Sequence, residues 1–359
     1  MSRQTRAIIH TQALQHNINV LKTLAPASST MAIIKADAYG HGALITAQTL
    51  QSQVSAFAVA ITEEAVTLRQ QGITAPIVVL EGPHEPRDCD LAGQHQLTLV
   101  AHSEAQLQWL DAASHPVDLW LKVDTGMHRL GLEITRVPVL VQRYRHLLNE
   151  RSVMVTHMAC ADELDNPFTT GQTRQIEQLA KKVGLPLSVA NSPAMLHWPT
   201  THAQWNRLGI ALYGANPVYP TPSGVVLHAA MTLQASIIAM HQVPKGEGVG
   251  YGQTWKATRD SRIATVGIGY GDGYPRHCPN GTPVLVHGQR APLAGRVSMD
   301  MLCIDVTDIG QAKVGDRVEL WGAKLAIDEI AGYAQTIAYE LMTRVSARVP
   351  RVLDSAPLN

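Results

Sequence analysis

Short apolar runs alternate with helically spaced apolar positions through the first two thirds of the chain. The run Met31-Ala32-Ile33-Ile34 has the length and composition of a strand buried on both faces. Further runs lie at Ala56 to Ala60, Pro76 to Leu80 and Gln96 to Val100, and near 117–123, 152–157, 186–190 and 205–208, which makes eight in all. Helical patterns fall between them. Thr11 is placed to cap a helix with Leu14, Ile18, Leu21 and Leu24 on one face, and another helix runs from beyond Gly42 to about Leu50. Thr62, followed by Glu63 and Glu64, reads as another cap, and Ser103-Glu104-Ala105-Gln106 reads as a capping box. Eight β/α repeats over residues 11–230 predict a (β/α)8 barrel of the TIM type, with a doubly wound sheet as the competing layout.

The texture changes near residue 230. Leu233 to Met240, Ile263 to Ile268, Leu302 to Val306 and Arg317 to Trp321 are separated by Gly, Pro, Asp and Asn turns, and one late helix is expected at Ile327 to Gln335. This pattern predicts a mainly β domain over 231–359, joined by an N-terminal strand at 3–10.

Composition narrows the function. With 29 basic and 29 acidic residues the formal charge is zero, and no basic block interleaved with aromatics is present, so neither nucleic acid nor a membrane surface is expected as a partner. No stretch approaches the roughly 20 apolar residues of a membrane span, and the opening MSRQTRAIIH lacks the core of a signal peptide. A cytoplasmic location is the expectation. Cys89, Cys160, Cys278 and Cys303 are far apart, and no C-x-x-C or H-E-x-x-H motif occurs, so neither a disulfide framework nor a metal site is indicated.

The chemistry gathers at strand ends. Lys35 closes the Met31 run, where β/α folds place their active residues, and a neutral amine there can attack a carbonyl to form a Schiff base. The alternative is a lysine that merely reaches to water. In LWLKVDTGMHRL, Lys122 sits inside an apolar strand and Arg129 in the loop beyond, where a guanidinium suits a carboxylate. His157 ends the strand of SVMVTHMACADE, as a relay group or as an ordinary core histidine. Ser192 follows Val189-Ala190-Asn191, and Gly209 and Ile210 follow Asn206-Arg207-Leu208; together they suggest a phosphate cradle. Gly267 to Gly273 has glycines but not the spacing of a dinucleotide fingerprint, and Pro275 stands where its helix would begin. A Schiff-base lysine, a phosphate cradle and a carboxylate-binding arginine suit pyridoxal 5'-phosphate.

KADAYGHG at Lys35, KVDTGMHRLG at Arg129, THMACADE at His157, WNRLGIALYG at Arg207, VGYG at Tyr251, GYGDGYPR at Tyr270 and GRVSMDM at Met299 resemble the motifs of the alanine racemases, in the family's order and over nearly the whole chain. The resemblance implies a pyridoxal-phosphate barrel fused to a β domain, acting as a homodimer with shared active sites that interconverts L- and D-alanine and supplies D-alanine for peptidoglycan. By the same resemblance, Lys35 holds the cofactor and is the base on one face, and Tyr251 of the partner chain is the base on the other. Arg207 faces the pyridine nitrogen, and His157 links it to Tyr251. Arg129, Met299 and Tyr270 serve the substrate, with Met299 from the partner, and Tyr39, Ser192, Gly209 and Ile210 hold the phosphate. Lys122 is carbamylated in the family, which answers the cost of a lysine in an apolar strand. Two departures stand out: Ala347 replaces a phosphate-contacting tyrosine before Arg348-Val349-Pro350-Arg351, and Pro193 follows Ser192 where a small residue is expected. Rival readings are a barrel decarboxylase of basic amino acids, which would need an acid where Arg207 stands, a non-catalytic cofactor-binding barrel, and a racemase that also takes serine or lysine.

Overall fold

The computed structural model describes residues 3–218, 221–222 and 224–354. Parts of the expected domains, 219–220 and 223 in the first and 355–359 in the second, lie outside them. The chain enters through β1 (Arg6–Ile9) and a helix at Thr11–Thr23. It then lays down β2 (Ser29–Ile33), β3 (Ala56–Val59), β4 (Ile77–Val79), β5 (Thr98–Ala101) and β6 (Asp118–Asp124). A two-residue β7 (Leu132–Glu133) is followed by β8 (Met154–Val155), β9 (Leu187–Ser188) and β10 (Trp205–Leu208). Leaving β7 aside, eight parallel strands pair in ring order. The ring closes because β10 returns to β2, with Arg207 opposite Met31, and β5 joins β6, with Leu99 opposite Leu119. Closure excludes the doubly wound sheet.

Strands buried on both faces make this closure favourable. All of β3 and β4 is buried, as is β2 beyond Ser29, because the barrel interior takes one set of side chains and the helical layer covers the other. Helix starts follow the sequence only in part. Ser103 accepts the Gln106 N–H at 3.3 Å, but the Gln106 side chain reaches back to the N–H of His102 (2.7 Å), one residue earlier than a capping box places it. Thr11 and Thr62 are not caps. Each is the first residue inside its helix, behind His10 and Ile61, and the buried Thr62 hydroxyl has no partner among the described residues.

The mainly β domain is built around the long β11 (Met231–Val243), followed by β12 (Gly248–Val249), β13 (Trp255–Lys256), β14 (Ser261–Val266), β15 (Pro283–Val286), β16 (Gln289–Pro292), β17 (Leu302–Asp305), β18 (Arg317–Trp321) and β19 (Arg351–Leu353). β1 pairs antiparallel with β11 and parallel with β19. Two late helices stand where one was expected, Ile327–Tyr333 and Ala338–Arg344. The second packs against the residues that follow Lys35.

Candidate active site

Lys35 leaves β2 and enters a turn of left-handed backbone. Ala36, Asp37, Ala38 and Tyr39 have φ of 52°, 53°, 54° and 51°. Non-glycine residues resist this conformation by about 1–2 kcal/mol each, so four in succession persist only where the surroundings impose them. Glu64 supplies part of the constraint. One of its carboxylate oxygens accepts the Ala36 N–H at 2.7 Å and the other the Ala60 N–H at 2.8 Å, tying the end of β2 to the end of β3. Asp37 accepts the Ala43 N–H at 2.7 Å, and Arg351 donates to the Gly40 carbonyl at 2.9 Å. At Gly40, φ is 77° and a Cβ would lie 2.2 Å from the Met342 carbonyl oxygen, so the helix Ala338–Arg344 rests directly on the turn.

The turn opens into a cavity of about 440 Å³ at the carboxyl ends of the barrel strands. Lys35, Tyr39, Lys122, Arg129, His157, Ser192, Arg207 and Gly209 all line it, and Ile210 follows at the start of a short turn, Ile210–Tyr213. Asn191, the neighbour of Ser192 at that strand end, joins them, as do Glu81 and Tyr339, which the sequence did not single out. The Tyr339 ring centroid stands 5.8 Å from that of Tyr39, so this phenol occupies the region for which Ala347 had suggested a missing tyrosine. Its helix is short and follows another closely, and no spacing signal marked it. Pro193 does not disturb its helix. It lies in the first turn of Ser192–His197, where its missing N–H costs nothing, and Asn191 caps by accepting the Ala194 N–H at 3.2 Å.

Arg207, on β10, is buried, and carbonyls surround its guanidinium. Nη1 donates to the Ser188 carbonyl at 2.9 Å and its hydroxyl at 2.8 Å; Nη2 donates to the carbonyls of Thr156 (2.7 Å) and Val189 (3.1 Å). Both terminal nitrogens are thereby committed, while Nε–H has no partner among the described residues. Burial draws the guanidinium down to about 10, so it remains a cation at neutral pH. Nη2 also lies 3.4 Å from His157 Nδ1. Burial first, and then the positive charges of Arg207, Lys122, Arg129 and Lys35, hold that imidazole well below its usual pKa, and it is neutral. Lys122 is drawn down to about 8 by burial and by Arg207, Arg129 and Lys35, with Glu81 acting the other way.

Ser192 Oγ accepts the N–H groups of Gly209 (2.9 Å) and Ala211 (3.4 Å), which leaves its own proton to donate. Burial pushes Tyr39 up to about 12, so its hydroxyl keeps its proton. A Cβ at position 209 would come within 3.0 Å of the Tyr39 oxygen and 3.7 Å of Ser192 Oγ, so glycine leaves open a hollow between two hydroxyls.

Tyr251, Tyr270 and Met299 are not brought to this cavity. They lie on the β domain, 68%, 39% and 54% exposed, with Tyr251 in a short turn after β12. Tyr270 and Met299 form one unit: the Tyr270 N–H donates to the Ser298 carbonyl at 3.0 Å and the Gly271 N–H to the Met299 carbonyl at 2.8 Å. Asp272 locks that unit through two 2.6 Å bonds from Arg3 and one of 2.9 Å from Arg348. The glycine-rich stretch is therefore a charge-clamped turn.

Residues 9–217 match the model of the alanine racemase N-terminal domain, and residues 230–353 match that of the C-terminal domain. The chain belongs to the alanine racemase family. An alanine racemase of Alteromonas mediterranea is 56% identical over 98% of this chain and 99% of its own. The crystal structure of the biosynthetic alanine racemase from Pseudomonas aeruginosa superposes with a TM-score of 0.94 at 43% identity, covering 98% of this chain and 99% of that one. The alanine racemase of Acinetobacter baumannii gives 0.92 at 35% identity, covering 98% and 100%. The enzyme is an isomerase that interconverts L- and D-alanine. Among the described residues no helix is long and apolar enough to cross a membrane.

Proposed function

We propose that this alanine racemase uses pyridoxal 5'-phosphate, works as a cytoplasmic homodimer with shared active sites, and supplies D-alanine for peptidoglycan. The supporting observation is that one cavity gathers the Lys35 amine, the uncommitted Nε–H of Arg207 and the hollow between the Tyr39 and Ser192 hydroxyls. These features fit the cofactor at three separated points, its aldehyde, its ring nitrogen and its phosphate. When bound, the cofactor supplies an electron sink that makes the α-proton of an attached amino acid acidic.

The chain's own residues divide the remaining work. Lys35 holds the cofactor and exchanges a proton with one face of the substrate α-carbon. Tyr251 of the partner subunit serves the opposite face. Its exposure on the β domain supports this role, as does the absence of Tyr251, Tyr270 and Met299 from their own chain's cavity lining. Arg207 offers a donor to the ring nitrogen, which stays unprotonated and limits the sink to what racemisation needs. A decarboxylase-type acid is absent from this position; the guanidinium is held by carbonyls and a serine hydroxyl. His157, whose Nδ1 lies 3.4 Å from Arg207 Nη2, links that guanidinium to the partner subunit's Tyr251. Arg129 and the backbone of Met299 from the partner chain receive the substrate carboxylate beside Tyr270, and Tyr39, Ser192, Gly209, Ile210 and Tyr339 surround the phosphate. Carbamylation of Lys122 would convert one of four crowded cations into an anion that orients Arg129.

Racemisation of L-alanine in D2O tests this reading. D-alanine formed by the loaded enzyme should carry deuterium at Cα, because the second base exchanges its proton with solvent. Product retaining its original hydrogen would remove the two-base assignment. Serine or lysine turning over as fast as alanine would move the substrate class to the broader racemases.

A further inference from the structure

A buried polar cluster lies in the wall of the cavity, and none of the roles above uses its side chains. Gln172, on the helix Phe168–Val183, is 1% exposed, Thr125 3% and Thr156 1%. Gln172 Nε2 donates to Thr125 Oγ1 at 2.9 Å and to the His157 carbonyl at 3.0 Å, and its Oε1 accepts the Ala159 N–H at 2.9 Å. The amide cannot be reversed, since that would set its oxygen against the His157 carbonyl and its NH2 against the Ala159 N–H. Thr125 Oγ1 in turn meets Thr156 Oγ1 at 2.7 Å, and the Thr156 carbonyl accepts from Arg207 at 2.7 Å.

This connectivity crosses elements that carry different parts of the site. Thr125 begins the loop from β6 that presents Arg129, whereas Thr156, His157 and Ala159 follow β8. The loop is closed at its base by pairing of β6 with β7, Val123 opposite Leu132, and Phe168 packs over Gly126. Asp124 accepts the N–H groups of Gly126 and His128 and meets the exposed His128 ring, bonds that stay inside the loop. The bond from Gln172 to Thr125 reaches outside. A buried amide with both donors and its acceptor satisfied has one low-energy arrangement, which makes such a cluster a rigid spacer.

We infer that Gln172 is a positioning residue that sets the Arg129 loop at a fixed distance from Arg207 and His157, and so governs affinity for the substrate carboxylate. The inference rests on the assignment of Arg129 to that carboxylate. A shift of about 1 Å in such a group is enough to cost one or two powers of ten in binding or rate, so a loss of about tenfold is expected when the spacer is broken.

The test uses the cofactor-loaded enzyme and acetate, a carboxylate without an amino group, whose binding is read by calorimetry. Gln172→Met removes both donors and the acceptor of the Ala159 N–H while roughly keeping the volume, and Thr125→Val removes the hydroxyl that one of those donors meets. Each should weaken acetate about tenfold and raise KM for alanine by a similar factor, with kcat changed less than about threefold and cofactor occupancy near wild type; the melting temperature of Gln172→Met should fall, because the Ala159 N–H and His157 carbonyl lose this partner. The double variant should be no worse than the poorer single one, because both break the same connection. Unchanged acetate affinity in either folded variant, or losses that multiply in the double variant, would overturn the inference. If Gln172→Met does not fold, Thr125→Val carries the test alone. Arg129→Ala separates the two levels. If acetate binding survives that change, the carboxylate assignment itself fails; if Arg129→Ala abolishes binding while the Gln172 and Thr125 variants do not alter it, only the positioning role is lost.

Discussion

Arg207 Nη2 and His157 Nδ1 lie 3.4 Å apart on one side of the imidazole, and Asn191 Nδ2 lies 3.5 Å from Nε2 on the other. Both neighbours are donors, so an N–H group faces each ring nitrogen. Burial and four nearby cations keep the ring from taking a second proton. The free cofactor-loaded enzyme should therefore show a His157 carbon resonance that stays in the neutral form from pH 8 down to pH 6. A midpoint near the ordinary value of about 6.5 would contradict the electrostatics described for the cavity.

Arg207→Glu exchanges a donor for an acceptor opposite the ring nitrogen, which would then take up a proton. Transamination should rise relative to racemisation. The carboxylate would also face the Ser188, Thr156 and Val189 carbonyls, so less protein will fold, but the ratio of the two reactions is a property of each active molecule. An unchanged ratio would mean that position 207 does not face the ring.

Lys122, at about 8, is roughly half neutral amine at pH 8, whereas an ordinary lysine is below about 1%. Carbon dioxide adds only to the neutral amine, so carbamate occupancy should increase as pH rises from 6 to 8. A carbamate carbon signal in 13C-bicarbonate, absent from Lys122→Arg, is the expected result. Wild-type enzyme with no such signal at pH 8 would leave Lys122 as a plain amine.

Gly40→Ala should destabilise the chain by about 2–3 kcal/mol, from an unfavourable positive φ together with collision with the Met342 carbonyl. Chemical denaturation measures this. Cofactor affinity should fall too, because the displaced helix carries Tyr339 and the displaced turn carries Lys35 and Tyr39. Wild-type stability would show that the helix is not seated on the turn.

Much of this architecture was legible because it depends on local pattern. Strands buried on both faces read as apolar runs, and Lys35 stands out because it ends one. The left-handed turn after it was not legible, since Ala36, Asp37, Ala38 and Tyr39 have no preference for that backbone; Glu64, Arg351 and Met342 impose it from elsewhere in the chain. The cage around Arg207 needs carbonyls from β9 and from the segments after β8 and β9, which only barrel closure brings together. Gln172 was missed because a polar residue on a helix looks the same whether it meets water or a threonine in the core. The roles of Tyr251, Tyr270 and Met299 came from resemblance alone, since nothing in their spacing points to a cavity that their own chain does not place beside them.

The central claim is that each site takes Lys35 from one chain and Tyr251 from the other, and subunit mixing tests it most directly. Lys35→Ala and Tyr251→Phe homodimers should each be nearly inactive. A mixed dimer would hold one site lacking both groups and one site with both intact. Random exchange makes half the dimers mixed with half their sites whole, so roughly a quarter of wild-type activity should return. If the two groups came from one chain, no mixture could contain a whole site. Activity that stays at the level of the parent variants after verified exchange would contradict the shared site.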